Sequence, residues 1–347
     1  MSIIAMAPPR RVQLVSSNTK PGAFKASTHG SWAAIKWLQR AVTLFIGVTA
    51  LSFLLIANFS TDLVYTKLGK NPTPEQIDSL RHELGYDRPW IVRYGYFLLN
   101  LARGDLGYSD RNGERVASVL ARTIPISLAL LIPGFILGHL LGIVSALWAA
   151  WQRGRWADHF ITLMAVAGMS LSFPVAIILA QWGLSSYQGL AWFPVQGWAP
   201  EDIASYLYYV TVPTTALLLV TVGYNTRFYR TLMVEELDKD YVLTARAYGA
   251  GALVIMARHV LPNTLIPIVT RVVFTLPSLV VGGSLLLENY FAIPGIGKTA
   301  FEAVTYGDQN LLLAIVALTA LIFVVLNLSI DTLYRWFDPR LSTPVAA

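Results

Sequence analysis

Five histidines, His29, His82, His139, His159 and His259, are the side chains of this sequence best suited to proton transfer or metal ligation, and they are scattered without a metal spacing. There is no cysteine, which excludes disulfide frameworks and thiolate metal sites. Ile293-Pro294-Gly295-Ile296-Gly297 has the glycine density of a phosphate-cradling loop and is followed by Lys298-Thr299, but no preceding strand goes with it. A tight turn suits Pro-Gly better. No nucleophile elbow is present either. Hydrolytic chemistry is therefore not expected of this chain, and its functional residues must act by position and contact.

The stretch with the most internal order runs from Asp240-Tyr241-Val242-Leu243-Thr244-Ala245-Arg246-Ala247-Tyr248-Gly249 to His259-Val260-Leu261-Pro262. It reads as a short helix, a glycine turn and a second short helix: Asp240 caps the first, Gly249 supplies a left-handed exit and Pro262 ends the second. Leu253, Met256, Ala257, Val260 and Leu261 recur at helical spacing and predict one apolar stripe, with Arg258 off it. Such a stripe needs a surface, and two fit: lipid headgroups or a partner protein.

The elements that position this hairpin are membrane spans. Of the 347 residues, 55% are apolar and 13% charged, the balance of an integral membrane protein. The net charge of +6 does not point to nucleic acid, because the basic residues sit beside spans and not on one soluble module. Residues 1–40 carry Arg10, Arg11, Lys20, Lys25, Lys36 and Arg40 without an acid, a tail expected in the cytoplasm with its first thirty residues disordered. Residues 41–59 read as the first transmembrane helix, too long for a cleaved signal peptide and without a clear cleavage site. Residues 60–123 have soluble composition and form an external loop, with a helix opened by Thr73-Pro74-Glu75 and stopped by Gly85.

Residues 124–347 hold five more spans, with a cytoplasmic loop at 225–263. In the second, Ile124 to Ala150, Gly134, Gly138 and Gly142 repeat every fourth residue and make a smooth stripe, open to packing within the chain or to a place at a pore. The third, Phe160 to Trp182, contains Ser172 and Pro174, and the proline predicts a bend. A loop from Gly183 to Ser205 lacks Lys and Arg and carries Trp192, Phe193 and Trp198, an external aromatic belt. The fourth, Leu207 to Tyr224, ends at Arg227 and Arg230. The fifth, Leu265 to Leu287, is irregular, with Pro267, Arg271, Pro277, Gly282 and Gly283, and the sixth runs from Leu311 to Ile330. Arg271 is the basic residue set inside a span, at a cost of roughly 2.5 to 3.5 kcal/mol at the bilayer centre. It either snorkels to the headgroups or lines a pore. Glu288 stands at the border of the fifth span, and no Asp or Glu lies at mid-depth. The bias of Lys and Arg places both termini inside.

The hairpin resembles the loop of ABC importer permeases written E-A-A, three residues, Gly, nine residues, I-x-L-P. Leu243-Thr244-Ala245 fall on E-A-A, Gly249 on the glycine and His259-Val260-Leu261-Pro262 on I-x-L-P, with the first two letters and the isoleucine not met. Asp-Tyr-Val-x-Thr-Ala-Arg-Ala-x-Gly is similar to the dipeptide, oligopeptide and nickel permease branch in particular. Three further segments resemble the B-type subunit of that branch. They are Thr73-Pro74-Glu75-Gln76-Ile77 through Arg103-Gly104-Asp105-Leu106-Gly107-Tyr108-Ser109, Glu288 to Gly297 as Glu-x-x-Phe-x-x-Pro-Gly-x-Gly, and the closing Asp338-Pro339-Arg340. Phe59-Ser60-Thr61-Asp62 departs from the branch, which often has Pro-Gly-Asp-Pro there.

The resemblance implies an all-α integral membrane protein with six transmembrane helices of the type I ABC importer permease, set in the bacterial cytoplasmic (inner) membrane. It implies a non-catalytic subunit forming half of a pore for peptides or similar small solutes. The implied partners are a second homologous permease subunit, two ATP-binding-cassette ATPases that hold ATP and Mg, and an external substrate-binding protein, with no cofactor on this chain. In that setting the hairpin is the coupling helix seated in the ATPase, where the small Ala245 and Gly249 admit another backbone and Tyr241 and Tyr248 anchor beside them. An ion-coupled carrier or channel is the alternative, and would need ionisable groups near mid-membrane. A receptor or scaffold would account for the hairpin's amphipathicity and not for the ordered run of motifs.

Overall fold

The structure, a computed structural model, describes residues 29–59, 64, 68, 69, 72–83, 85, 87–186 and 188–337. Most of the basic tail, Ser60-Thr61-Asp62 and the closing Asp338-Pro339-Arg340 lie outside the described residues. Among the described residues the chain is helical, and its sole strand-like feature is a single bridge between Tyr108 and Arg115. Five helices are long and apolar enough to cross a membrane, or six when one bent pair is counted as a span.

The first helix, α1 (His29–Phe59), starts well before Ala41 and holds the apolar run Leu38–Asn58. The stretch up to Val42 forms a unit of its own, whose described part is the first turns of this helix. The remainder of the chain forms the second unit. Within it, Thr49 and Phe53 of α1 meet Tyr94, whose hydroxyl lies 2.8 Å from the Thr49 hydroxyl. The segment after α1 carries α2 (Pro74–Glu83) and α3 (Trp90–Ala102). Its Arg103-to-Ser109 motif turns twice through glycines of positive φ, Gly104 and Gly107, conformations a side chain would strain. The motif ends with the Ser109 hydroxyl donating to Asp308, whose other carboxylate oxygen accepts from the Asp110 amide at 3.0 Å.

The core is built on two long helices, α4 (Val116–Trp151) and α7 (Ile203–Leu237). At 36 residues α4 is about 54 Å long, well beyond a hydrocarbon layer of about 30 Å, so its ends project from the bilayer. The glycine stripe faces α7: a Cβ on Gly134, Gly138 or Gly142 would come within 2.5–2.6 Å of Leu217, Thr221 or Asn225. A second close approach joins α7 to α5 (Trp156–Ser170), where a Cβ on Gly168 would meet the Leu219 carbonyl and one on Gly223 the Ala165 carbonyl. Small residues let these backbones touch, which supplies the dispersion contact that drives helix association in lipid.

Several sequence expectations need correction, four of them about the spans and their ends. The third span is two helices, α5 and α6 (Phe173–Ser185), set 106° apart, because Leu171 and Ser172 leave helical geometry and Pro174 sits in the first turn of α6. The helix that holds the second span begins at Val116, eight residues before Ile124. The fourth begins at a capping box, with the Ser205 amide donating to Asp202 at 2.7 Å, and continues through Arg227 and Arg230 to Leu237. The loop expected at 225–263 is thus helix over its first part. Fourth, Pro262 ends nothing: helical geometry continues without a break from the π turn through Leu261 and Pro262 into α10 (Leu261–Ser278), so the proline is taken up inside one helical run. After α10 a π-helical turn, Leu279–Gly283, leads into α11 (Ser284–Tyr290), followed by α12 (Ile296–Tyr306) and α13 (Gln309–Phe337).

Candidate functional site: a coupling hairpin and the cavity above it

Between α7 and α10 the chain makes the expected hairpin, α8 (Asp240–Ala247), a turn at Gly249 and α9 (Ala252–Ile255), then a π-helical turn, Met256–Val260, running straight into α10. Gly249 takes φ 81°, the left-handed exit that its type predicts. The Ala250 amide closes the turn on the Ala245 carbonyl at 3.0 Å. Asp240 is not the cap: Lys239 holds that position and Asp240 is the first helical residue, where its charge still complements the amide end of the helix.

The hairpin is seated on the ends of α4 and α7. Val242, Ile255, Met256 and Val260 are buried with Ala146, Ala150, Tyr229, Met233 and Leu237, and Ala245 packs at the margin. The buried face therefore differs from the predicted stripe, since Leu253 is 68% exposed and Ala257 is exposed too. From Ala257 onward the π turn contributes: hydrogen bonds five residues apart insert an extra residue and shift the apolar face off the 3.6-residue period. Of the two tyrosines, Tyr241 is braced. Its hydroxyl donates to Glu236 and accepts from Asn263 Nδ2 at 3.0 Å, tying the end of α7 to the start of α10. Burial, with the Glu236 carboxylate beside it, pushes the phenol up to about 12, so it stays a donor. Tyr248 stands 88% exposed at the tip, beside exposed Thr244, Arg246 and Ala247. His259 is half-buried in the π turn, and Leu261 and Pro262 open α10.

Further along α10, Arg271 and Gly283 come together on one cavity of about 250 Å³, with His139 of α4 and Asn225 of α7. Arg271 does not run along its helix toward an end. Its Nε donates sideways to Asn225 Oδ1 at 3.2 Å, and the guanidinium lies 4.4 Å from the centre of the Phe228 ring. Gly282 is exposed, and Ser172 and Pro174 are exposed at the α5–α6 break. The glycines of α4 instead lie against α7.

Besides Asp308, two buried carboxylates, Glu288 and Asp158, have partners the sequence reading did not give them. Glu288, at the border of its span, is fully buried and accepts from Ser127 at 2.5 Å, Ser284 at 2.6 Å and the Lys298 amide at 2.9 Å. A Cβ on Gly295 would collide with that carboxylate, and one on Gly297 with the backbone before Leu285, which is why both are glycine. Asp158 is 2% exposed and holds Arg230 in a two-pronged pair at 2.6 Å on each side. Ser127 lies 161 positions from Glu288 and Arg230 lies 72 from Asp158, so no local pattern links either pair. Among the described residues no group of three or more His, Asp or Glu could hold a metal ion.

The profile described as "Binding-protein-dependent transport system inner membrane component" matches residues 138–343, and that of the N-terminal part of such membrane components matches 34–131. The dipeptide transport system permease protein DppB of Alkalihalophilus pseudofirmus is 32% identical over 334 residues, covering 89% of this chain and 98% of its own. The glutathione transport system permease protein GsiC of Pectobacterium atrosepticum is 31% identical over 312 residues, covering 88% and 97%. Among solved structures, the MetNI methionine ABC transporter in an inward-facing conformation has a chain that superposes with a TM-score of 0.52 at 16% identity, covering 64% of this chain and 97% of that one. That likeness carries the fold. Long apolar helices, a hairpin seated on their ends and the two profile matches converge: the chain belongs to the binding-protein-dependent inner membrane components, as a permease subunit of an ABC importer of the dipeptide and oligopeptide family.

Proposed function

We propose that this chain forms one half of a pore carrying peptides or similar small solutes inward across the bacterial cytoplasmic membrane, and that it catalyses no reaction itself. The other half is a second homologous permease subunit. Two ATPases hold the ATP and Mg and grip the hairpin from the cytoplasm, where both termini also lie, and an external binding protein delivers the solute. The observation that carries this reading is the hairpin: one face is bound into the ends of α4 and α7, while Leu243, Tyr248 and Leu253 are left exposed on the other. Exposed apolar side chains on a braced element mark a protein contact. ATP-driven closure of the ATPases would shift the hairpin and, through the continuous run into α10, the cavity at Arg271. Peptide cargo is supported by the names of the relatives, DppB among them.

Gly249→Asp tests the coupling role. A Cβ there meets nothing within 4 Å and Asp tolerates positive φ better than most residues, so the cost is local backbone strain of about 1 kcal/mol and not a clash. The variant is expected to insert normally and to lose most ATP-driven uptake in a reconstituted complex. Wild-type uptake with normal co-purification of the ATPase would count against the reading. An ion-coupled carrier needs a carboxylate open to the path. Buried Glu288 is instead bound by protein donors, and Asp158 is paired.

A further inference from the structure

We propose that Arg271 is a binding residue for the C-terminal carboxylate of the transported peptide, in the cavity between α4, α7 and α10; this rests on the peptide-importer reading above. Phe135 and Leu217 give the cavity apolar walls. Its polar side chains are occupied with one another. His139 Nδ1 lies 2.6 Å from the Tyr229 hydroxyl and its Nε2 3.3 Å from Thr275 Oγ1, and Asn225 Nδ2 donates to the Gly138 carbonyl at 3.1 Å. The Arg271 charge has no such answer: among the described residues its hydrogen bond goes to the neutral Asn225, and no carboxylate lies within ion-pair distance.

Arg271 also borders a shallow, open hollow lined by Phe228, Ile266, Pro267 and Phe274, so the guanidinium stands between the smaller chamber and this open face. Asn225 and Phe228 hold one edge and one face of it, and both belong to α7. That anchoring turns the group across the helices and away from any headgroup it could snorkel to. A fixed cation in apolar surroundings selects for an anion, and the guanidinium fork matches the paired oxygens of a carboxylate. The smaller chamber is of a size for a terminal residue and not for a whole peptide, below the range of sites that enclose drug-sized ligands. The positive charge also repels an amino terminus, which would orient the peptide carboxylate-first toward Arg271.

The test uses the complete transporter in proteoliposomes, with its partner permease, ATPases and binding protein. The probes are an Ala-X-Ala tripeptide library and the same library amidated at the C-terminus, with ATP-driven uptake read by mass spectrometry. Selection by the binding protein is common to every variant and cancels when acid-to-amide uptake ratios are compared. Arg271→Met is expected to lower that ratio about tenfold relative to wild type, and Arg271→Lys to keep it within about threefold. An unchanged ratio in Arg271→Met, including an equal fall in both probes, would overturn the carboxylate assignment while leaving the importer intact. Absence of ATP-driven uptake of either library by the wild type would overturn the peptide-importer reading, and this assignment with it.

Discussion

Asp158 and Arg230 show how one residue pair can hold two spans in register. The carboxylate is buried and takes both prongs of the guanidinium plus the Gly154 amide at 3.0 Å, so removing the arginine strands a charge in the interior. Arg230→Met is expected to destabilise the purified protein by about 3–5 kcal/mol, and the double change Asp158→Asn with Arg230→Met by less. Thermal unfolding in detergent checks both, and equal losses would show that the pair is not the cause. Gly295→Ala puts a methyl group onto the Glu288 carboxylate and should unseat α12 at a cost of roughly 1–3 kcal/mol, read by the same measurement.

At the scale of elements, what the sequence made legible is what depends on near neighbours. Gly249 announced its positive φ because few other residues take that conformation freely, and the every-fourth-residue glycines of α4 announced a close helix contact. Pro262 misled because a proline need not end a helical run when the turn before it is already widened. The stripe misled at Ala257 because a π turn breaks the period on which such stripes are counted. Pro174 signalled a bend, but an angle of 106° also needed Leu171 and Ser172 to leave the helix, and nothing in their types says so. Glu288 was illegible because its cradle comes from Ser127 on a distant helix.

The brace at the hairpin belongs to this scale too. Tyr241→Phe keeps the ring and removes the hydroxyl that joins Glu236 to Asn263. It should cost about 1 kcal/mol of stability and weaken the coupling of ATP hydrolysis to uptake, measured as ATP hydrolysed per solute imported. An unchanged ratio would show that the brace plays no part in transmission.

For the molecule as a whole, the absence of cysteine turns topology into a clean measurement. Single changes Tyr248→Cys at the hairpin tip and Trp192→Cys in the aromatic loop, both at exposed positions, should react with a membrane-impermeant thiol reagent from opposite sides of the membrane. Labelling of both from the same side would refute the proposed orientation. Uptake should also vanish when the ATPase partner is deleted, whereas an ion-driven carrier would go on responding to an imposed gradient.

The π turn at Met256–Val260 has a consequence for how the two ends of this region are phased. Because it joins α9 to α10 without a break, the wide turn takes up one residue more than an α-helical turn while the helices on either side stay in phase. Excising that surplus residue should therefore leave Arg271 facing Asn225, whereas excising one residue from the regular part of α10 before Arg271 would rotate the guanidinium by about 100° into another quadrant. The turn is a place where the chain can lose or gain a letter without losing its aim.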